Sequence, residues 1–583
     1  MKRILLFAVL VAGCSRVEAS KPLDQSSSDP AIPARVPAVF PAGWRFPAGE
    51  RAAFAPRAMV AANEILASRA GVEMLKRGGN AVDAAVATGF ALAVTLPEAG
   101  NIGGGGYMVI RFADGRTAAL DYREVAPGAA SRDMYLDGDG KLTRRSVEGH
   151  LASGVPGSVA GMAEALHRYG TLPLAVVMAP AIRLAEQGYT VDNAFSNAVK
   201  ADTALIGRFA GDSLFIPNGK PPVVGTHFAQ PDLARTLKLI ARDGPSAFYR
   251  GRIAQQIVAE MQKGGGIITM DDLARYKPVW RPPIRSTYKG YTLLTMPPSS
   301  SGGITITESL NILEAYGADA PFGSSDQVHA LAGAFQHAFM DRNSKLGDPA
   351  FVRVPLETLT SKTYAQSLAR SIQRDRATPT SALTTGLREG TETTHYSVVD
   401  QFGNAVATTT TINSLFGSGV LVSGAGFFLN NEMDDFSASP GKPNQFGLVQ
   451  GEANAIKPGK RMLSAMSPTI VLDPAGKVLL VTGARGGPRI ITNTSQVILN
   501  VIDHRMSLAD AMRAPRFHYQ ALPDSLRLER DGFSEDVVAR LTRMGYKVYF
   551  TTTAGASVST IMRVKGGYEG MDDPRSSGGA AGF

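Results

Sequence analysis

The strongest candidate for chemistry is a threonine that follows a polar, unpatterned segment. Residues 376–392 are rich in Gly and Thr and lack periodicity, whereas Thr393 to Asp400 alternates like a β-strand. A threonine hydroxyl is a weak nucleophile that needs an adjacent base, and a freed α-amine on the same residue can be that base. Thr393 could therefore act as a nucleophile if the chain were cut before it. The alternative is a Thr-rich strand without a catalytic role, which composition alone favours.

Signatures of several other chemistries are missing from the sequence. It contains no Walker A loop, no His-Glu-x-x-His, no Cys-x-x-Cys and no Gly-x-Ser-x-Gly, and its eight histidines are dispersed. Four glycines at 103–106 precede a strand instead of opening a helix, which disfavours a dinucleotide site. We expect these glycines to allow close packing of the backbone. Neither a metal nor an organic cofactor is indicated.

The elements that must position these residues are both helical and extended. Helical patterning from Ala61 to Leu96 breaks at Gly78-Gly79, where Asn80 can cap the second helix with Asp83. The middle third of the chain, about 155–375, is mostly amphipathic helix. Helices are predicted at 158–169, 232–243, 253–262 and 534–544, and strands at 107–111, 118–122, 393–400, 405–413, 546–552 and 558–564.

Several short motifs occur in a characteristic order along the chain. They lie at 100–106, 121–124, 154–157, 393–397, 411–413, 430–436, 463–469, 486–487 and 573–575. In order and spacing they resemble the motifs of the gamma-glutamyltransferase (gamma-glutamyltranspeptidase) family of N-terminal-nucleophile hydrolases. The resemblance extends from about residue 50 to the C-terminus.

The resemblance implies an α/β (α+β) fold, a four-layer αββα sandwich formed jointly by two chains of one precursor. It also implies self-cleavage between Glu392 and Thr393. The expected division is a signal peptide at 1–13, a lipidated Cys14 with a Ser/Pro-rich tether at 14–50, a large subunit at 51–392 and a small catalytic subunit at 393–583.

The resemblance further assigns roles to single residues. Thr393 would be the nucleophile, with Thr411 beside it, and Gly486 and Gly487 would supply the N–H donors of an oxyanion hole. The remaining residues would bind the donor: Arg123 and Ser464 its α-carboxylate, and Asn413, Glu432 and Asp435 its α-ammonium. Taken singly, Arg123 could be a hairpin salt bridge, Asp435 a cap and the two glycines a turn.

The activity implied is transfer of the γ-glutamyl group of glutathione or related compounds to water, amino acids or peptides, without a cofactor. Two positions depart from the family pattern. Ala465 replaces a serine that would contact the donor carboxylate, and losing such a hydrogen bond typically costs about 1.5–3 kcal/mol. Phe446, in the segment 437–455 that resembles a lid loop, stands where a tyrosine is often found.

Two other functions stay open at this point. The first is a cephalosporin or glutaryl acylase on the same fold, although Glu432 and Asp435 argue against it because a glutaryl group has no ammonium. The second is a catalytically silent, lipid-anchored scaffold that binds a ligand or protein partner.

The N-terminus predicts export. Lys2-Arg3 precedes a short apolar run from Ile4 to Val11, which is typical of a signal peptide and too short to span a bilayer. The only cysteine, Cys14, follows small residues and resembles a bacterial lipidation site, so we expect a periplasmic or cell-surface lipoprotein. The alternative is an ordinary signal peptide that is cut further on. Although the net charge is +9, Lys and Arg are scattered, and no nucleic-acid partner is expected.

Overall fold

Two antiparallel β-sheets packed face to face form the centre of the molecule. This computed structural model describes residues 35–211, 213–317, 319–380, 393–553 and 555–583. Side chains of both sheets meet in one apolar cluster, for example Val109 from the first sheet with Val471 and Ile561 from the second. Helices cover the outer face of each sheet. The expected αββα sandwich is thus confirmed.

The first sheet carries the strand that follows Thr393. In spatial order its strands are β20 (Gly579–Gly582), β2 (Met59–Ala62), β10 (Thr394–Val399), β11 (Ala405–Thr411), β3 (Gly105–Arg111), β4 (Thr117–Asp121) and β7 (Val279–Arg281). Every residue of β10 and β11 is buried, because helices lie on one side of these strands and the second sheet on the other.

The second sheet faces the first. Its strands are, in spatial order, β1 (Ala53–Ala55), β19 (Gly567–Asp572), β18 (Ser557–Val564), β13 (Val478–Thr482), β12 (Thr469–Leu472), β9 (Tyr291–Thr295) and β8 (Ile284–Tyr288), and β14 (Ala484–Arg485) pairs with β18. Smaller sheets pair β5 (Tyr189–Thr190) with β6 (His227–Phe228), and join β15 (Phe517–His518), β16 (Leu526–Glu529) and β17 (Val548–Thr551).

The helices fall into two groups along the chain. Those before β7 are α1 (Ile65–Lys76), α2 (Ala81–Thr95), α3 (Ser158–Tyr169), α4 (Leu174–Gln187), α5 (Asn193–Phe209), α6 (Pro231–Asp243), α7 (Ser246–Tyr249), α8 (Arg252–Gly264) and α9 (Met270–Arg275). Those after β9 are α10 (Gly302–Tyr316), α11 (Ser325–Lys345), α12 (Leu356–Leu359), α13 (Lys362–Ala369), α14 (Arg489–Ile502), α15 (Leu508–Arg513) and α16 (Glu535–Arg543). In the first group, α1, α2 and α3 contact strands of the first sheet, and in the second group, α10, α14 and α15 contact strands of the second sheet.

Both large sheets mix strands from before and after residues 381–392. In the first sheet, β10 pairs with β2 on one side and with β11 on the other, and β11 pairs with β3. In the second sheet, β12 pairs with β9 and β19 pairs with β1. A chain break between the two parts would therefore leave them joined by the hydrogen bonds of both sheets.

Several predicted elements are confirmed. The helix at 158–169 is α3, and Asn80 forms the expected capping box with Asp83 at the start of α2. The two hairpins are β3 with β4 and β10 with β11. The glycines at 103–106 do serve close packing: a Cβ on Gly103 would lie 2.0 Å from the carbonyl oxygen of Phe428, and one on Gly104 2.1 Å from that of Thr411.

The start of the first predicted helix was misjudged. The helical segment predicted from Ala61 begins only at Ile65, because Met59–Ala62 is a central strand that pairs with both β10 and β20. The middle third is mostly helical, as predicted, and also contributes β8 and β9 to the second sheet. In the segment predicted as a tether, residues 35–50 form no helix or strand, but Trp44 is buried and its Nε1 donates to the carbonyl of Arg513 at 2.9 Å.

Candidate active site

Thr393 lies immediately before β10 and is almost fully buried. Because Thr394 pairs with Thr410 in the sheet, the next positions bring Thr393 opposite Thr411 at the end of β11. Thr393 Oγ1 donates a hydrogen bond to Thr411 Oγ1 across 3.4 Å. The antiparallel register therefore brings together the two threonines that the sequence singled out.

Thr411 also connects the nucleophile candidate to the residues that follow it. Its Oγ1 accepts a hydrogen bond from the backbone N–H of Asn413 at 2.7 Å. Asn413 has a left-handed backbone, with φ of 77°, so the chain turns sharply at the strand end. The Asn413 side chain donates from Nδ2 to the carbonyl of Asn431 at 3.0 Å, which fixes the start of the acidic turn Glu432–Asp435.

The acidic turn surrounds the guanidinium of Arg123. Nη1 of Arg123 lies 2.7 Å from Glu432 Oε2, Nη2 pairs with Asp435 Oδ2, and Glu124 lies 3.6 Å from Nη1. The Arg123 side chain is 1% exposed, and those of its three partners are at most 12% exposed. Arg123 follows β4, yet two of its three ion-pair partners come from a distant segment, so its salt bridges are not confined to the hairpin.

The carboxyl groups around Arg123 have pKa values above their ordinary range. Burial raises the pKa of Glu124 to about 7 and that of Glu432 well above normal, although Arg123 acts in the opposite direction. Burial also raises the pKa of Asp435, against the lowering effect of nearby arginines. Burial alone would lower the pKa of Arg123, but the three carboxyl groups raise it overall. Burial therefore opposes the ionisation of all three carboxyl groups, whereas the Arg123 guanidinium favours it.

Ser464 is held through both its backbone and its side chain. Its carbonyl accepts from the Ser301 N–H at 2.7 Å and from Ser301 Oγ at 2.6 Å, and its own N–H donates to the Ser299 carbonyl at 3.1 Å. Ser464 Oγ accepts from the N–H of Met466 at 3.1 Å. The neighbouring Ala465 is also buried and presents only a methyl group.

Gly486 and Gly487 lie between β14 and α14. Their φ angles are 125° and 56°, values that side-chain-bearing residues rarely adopt. A Cβ on Gly486 would lie 2.5 Å from the carbonyl oxygen of Gly555. The Gly487 carbonyl accepts from the N–H of Ile490 at 3.1 Å, which begins the first turn of the helix. The pair is thus a strand-to-helix turn in which position 486 has no room for a side chain.

A single cavity joins most of the residues predicted from the sequence. It has an empty volume of about 340 Å³, part of it open to solvent. Its lining includes eight predicted residues, namely Arg123, Thr393, Thr411, Asn413, Glu432, Asp435, Ser464 and Gly487. Both departures from the family pattern, Ala465 and Phe446, line it as well, whereas Gly486 does not.

Sequence reasoning missed several residues of this lining, of which Arg342 is the only charged one. The others are Leu448, Met466, Pro488 and Ile490. Arg342 follows Phe335 and Phe339 at helical spacing and is buried on the same face of α11. A charge placed in an apolar helical stripe is the signal that could have found it.

Other predicted features stand apart from this geometry. Cys14 and Glu392 lie outside the described residues. Among the residues that the structure describes, no group of three or more His, Cys, Asp and Glu side chains could hold a metal ion. No described helix combines the length and apolar character needed to cross a membrane.

Comparisons with known proteins identify the family of this chain. A sequence model of the gamma-glutamyltranspeptidase family matches residues 67–583. The chain is 49% identical to the glutathione hydrolase proenzyme of Escherichia coli K12 over 529 residues, 90% of this chain and 91% of the relative. It is 41% identical to the acylase ACY 1 proenzyme of Pseudomonas sp. SE83, over 88% of this chain and 91% of that one. The crystal structure of cephalosporin acylase from Bacillus halodurans matches with a TM-score of 0.80 at 30% identity, covering 93% of this chain and 99% of that one. With a family match over most of its length, the chain belongs to the gamma-glutamyltranspeptidase family of enzymes with an N-terminal nucleophile.

Proposed function

We propose that this protein is a gamma-glutamyltransferase and glutathione hydrolase, which transfers the γ-glutamyl group of glutathione and related compounds to water, amino acids or peptides. One observation carries the proposal: Thr393 and Thr411 share a cavity with charged groups of both signs. A γ-glutamyl donor carries an ammonium and a carboxylate on the same carbon, so its site needs both signs close together. The name of the Escherichia coli relative, glutathione hydrolase, supports the same substrate.

The nucleophile is generated by self-cleavage between Glu392 and Thr393, which divides the protein into a large subunit, 51–392, and a small catalytic subunit, 393–583. The names of the Escherichia coli and Pseudomonas relatives both include the word proenzyme, which supports processing. The interleaving of strands in both sheets supports two subunits that stay together after the cut.

Catalysis uses the hydroxyl and the freed α-amine of Thr393. Oγ1 attacks the γ-carbonyl carbon of the donor while the α-amine takes the hydroxyl proton, and the N–H groups of Gly486 and Gly487 stabilise the negative oxygen. The C–N bond then breaks, the α-ammonium returns the proton to the leaving amine, and a γ-glutamyl ester remains on Thr393. Water or an acceptor amine attacks this ester, and the hydroxyl of Thr393 is restored.

Donor binding exchanges ion pairs inside the cavity. The α-carboxylate of the donor is bound by Arg123 and Ser464, and its α-ammonium by Asn413, Glu432 and Asp435. The donor carboxylate competes with Glu432 and Asp435 for the guanidinium, while its ammonium takes the place of the guanidinium beside them. A zwitterion can make this exchange without changing the net charge of the site, whereas a donor with one charge cannot.

An acylase is the second candidate, because relatives named as acylases match at 41% and at 30% identity. It is disfavoured by the acidic turn, since a glutaryl group offers no cation to Glu432 and Asp435 and would leave them buried beside Arg123 alone. A silent scaffold is disfavoured by the intact hydrogen bond between Thr393 and Thr411.

The test combines intact mass with three donors. Purified wild type should contain a chain beginning at Thr393, and Thr393→Ala should remain one chain. Thr393→Ser, which keeps the hydroxyl, serves as the matched control and should still be cut. Wild type should hydrolyse γ-glutamyl-p-nitroanilide at least about tenfold faster, in kcat/KM, than glutaryl-p-nitroanilide or glutaminyl-p-nitroanilide.

Each proposal has its own contrary result. The same two fragments from Thr393→Ala would exclude self-cleavage by this hydroxyl. Faster turnover of the glutaryl donor would favour the acylase. An uncut wild-type chain without activity towards any donor would favour the scaffold.

We also propose that the mature enzyme is exported and anchored by lipid on Cys14, at the periplasmic or cell-surface side of a membrane. The support lies in the sequence, where Lys2-Arg3, a short apolar run and small residues precede the only cysteine. Multiple acyl chains would anchor the protein stably, whereas one chain gives only marginal affinity. Cys14→Ser should move active, correctly cut enzyme from the membrane fraction to the soluble fraction. Fully soluble wild type with a mature N-terminus well beyond residue 14 would refute the anchor and leave the catalytic proposal intact.

A further inference from the structure

Arg342 is a buried cation in the wall of the same cavity. The donor contacts proposed above assign it no role. Its side chain lies on the buried face of α11 and is 1% exposed. Nε donates to Ser301 Oγ at 3.0 Å, and Nη1 donates to Asn343 Oδ1 at 2.9 Å and to Gln450 Oε1 at 3.3 Å. All three acceptors are neutral, so none of them balances the charge.

The third nitrogen of this guanidinium is unused. Nη2 is buried and has no hydrogen-bond partner in the part of the chain that the structure describes. Burial lowers the pKa of Arg342 to about 10, and Asp435 offsets this only in part, so the group is still charged at neutral pH. A buried charged donor without an acceptor is unfavourable and is therefore rare in stable folds.

The contrast with Arg123 indicates what the unused nitrogen is for. Arg123 already pairs with Glu432 and Asp435, and its charge is balanced within the protein. Arg342 makes no direct ion pair with a described carboxylate, although it lines the cavity that contains Thr393. An anionic group that enters this cavity can pair with Arg123 only after Arg123 releases its carboxylate partners. Arg342 has no such partner to release among the described residues.

We propose that Arg342 is a second cationic contact for the α-carboxylate of the donor, with Nη2 donating to it directly. The inference rests on the proposed function, because it needs a donor that carries a carboxylate. It makes Arg342 a specificity-determining residue: donors with a carboxylate at this position gain a hydrogen bond to a charged group that other donors cannot make.

The surroundings of Arg342 favour this contact. Ser301 Oγ accepts from Arg342 and donates to the Ser464 carbonyl at 2.6 Å, so the guanidinium is two hydrogen bonds away from a proposed carboxylate ligand. Ala465, next to Ser464, offers no hydroxyl to the carboxylate. An N–H group of Arg342 supplies a charge-assisted hydrogen bond to the substrate carboxylate, which Ala465 cannot make.

The experiment compares three anilide donors on the complete, processed enzyme. γ-Glutamyl-p-nitroanilide carries both charges, glutaryl-p-nitroanilide only the carboxylate, and 4-aminobutanoyl-p-nitroanilide only the ammonium. For Arg342→Gln we expect kcat/KM to fall roughly 10- to 100-fold for the two donors with a carboxylate, mainly through KM, and less than about threefold for the third. Arg342→Lys keeps the charge without the planar fork and should lose less.

Ser301→Ala is the matched control, because it breaks the link to Ser464 and leaves Nη2 in place. We expect its loss on the carboxylate donors to be at least about threefold smaller than that of Arg342→Gln. Equal losses on all three donors, a loss no larger than that of Ser301→Ala, or no loss at all would overturn the proposal.

The yield of the chain that begins at Thr393 reports folding. If Arg342→Gln gives no processed protein, the donor ratios of Arg342→Lys decide by the same criteria. A wild type that turns over no γ-glutamyl donor would instead refute the proposed function, which separates the two failures.

Discussion

Removing the charge of Arg123 should destabilise the fold in a way that depends on pH. Arg123 stands within ion-pair distance of Glu432, Asp435 and Glu124, all of them buried. Arg123→Leu leaves an apolar side chain among three carboxyl groups that have lost their cation. Breaking a buried ion pair by removing one partner typically costs about 3–5 kcal/mol, and we expect a loss of this size at pH 8.

The loss should shrink as the pH falls. Burial already raises the pKa of Glu432, Asp435 and Glu124, the last to about 7, and Arg123 lowers all three. Without Arg123 their pKa values rise further. The folded variant then binds more protons than the unfolded chain, so its free energy of unfolding falls as the pH rises through this window. Each unit of additional pKa shift is worth about 1.4 kcal/mol, so the penalty should be smaller at pH 5 by at least about this amount.

The assay avoids interference from self-cleavage by using the Thr393→Ala background. Urea unfolding of Thr393→Ala and of its Arg123→Leu derivative is followed by tryptophan fluorescence at pH 5 and pH 8, and the free energies of unfolding are compared. Arg275→Leu is the control, because its ion pair with Asp271 is fully on the surface and should contribute no more than about 1 kcal/mol. A penalty for Arg123→Leu that is equal at both pH values, or larger at pH 5, would refute this account of the charge cluster.

Two further predictions concern buried polar groups. Thr411→Val leaves the Asn413 N–H without its acceptor at 2.7 Å, so the free energy of unfolding in urea should fall by about 1–3 kcal/mol and cleavage at Thr393 should slow. Thr411→Ser should restore both the stability and the cleavage rate. Full-speed cleavage in the valine variant would contradict the assignment. Glu308 is buried, and burial together with Asp341 raises its pKa to about 9. Between the ordinary pKa of a glutamate and this raised value, Glu308 keeps its proton in the folded protein and loses it in the unfolded chain. The stability advantage of Glu308→Gln over wild type should thus grow between pH 5.5 and pH 8.5, by up to about 1.4 kcal/mol per pH unit, and urea unfolding that shows a constant difference would count against it.

Elements defined by adjacent residues could be predicted from the sequence. The capping box of Asn80 and Asp83 marks the start of α2 because its hydrogen bonds join residues three apart. The hairpin of β10 and β11 has a short turn between strongly β-forming runs. In contrast, β2 has the composition of a helix, with Ala61 and Ala62 in its sequence, and it becomes a strand only because β10 and β20 hydrogen-bond to it from far along the chain.

The residues of the site could be predicted by resemblance, but their interactions could not. Arg123 and Asp435 are 312 positions apart, and their direct ion pair follows from the way the acidic turn folds over the end of β4. The resemblance assigned these two groups to the carboxylate and the ammonium of a bound donor. That assignment is compatible with a direct contact between them but does not imply one. Arg342 carries no motif of its own, and its charge within the apolar stripe of α11 is the only signal of it in the sequence.

Asn63, directly after β2, holds the first residues of β10 in place. These contacts would persist if the peptide bond before Thr393 were broken. Its Oδ1 accepts from Thr394 Oγ1 at 3.0 Å and from the His395 N–H at 3.1 Å, while its Nδ2 donates to Asp572 at 2.7 Å. Asn63 thus ties the start of β10 to the second sheet from the side opposite β11. An enzyme that uses a freed amine as its base must give up that peptide bond without moving the hydroxyl. Here the position of Thr393 depends on sheet pairing and on Asn63, so the proposed cleavage would leave the geometry needed for the chemistry in place.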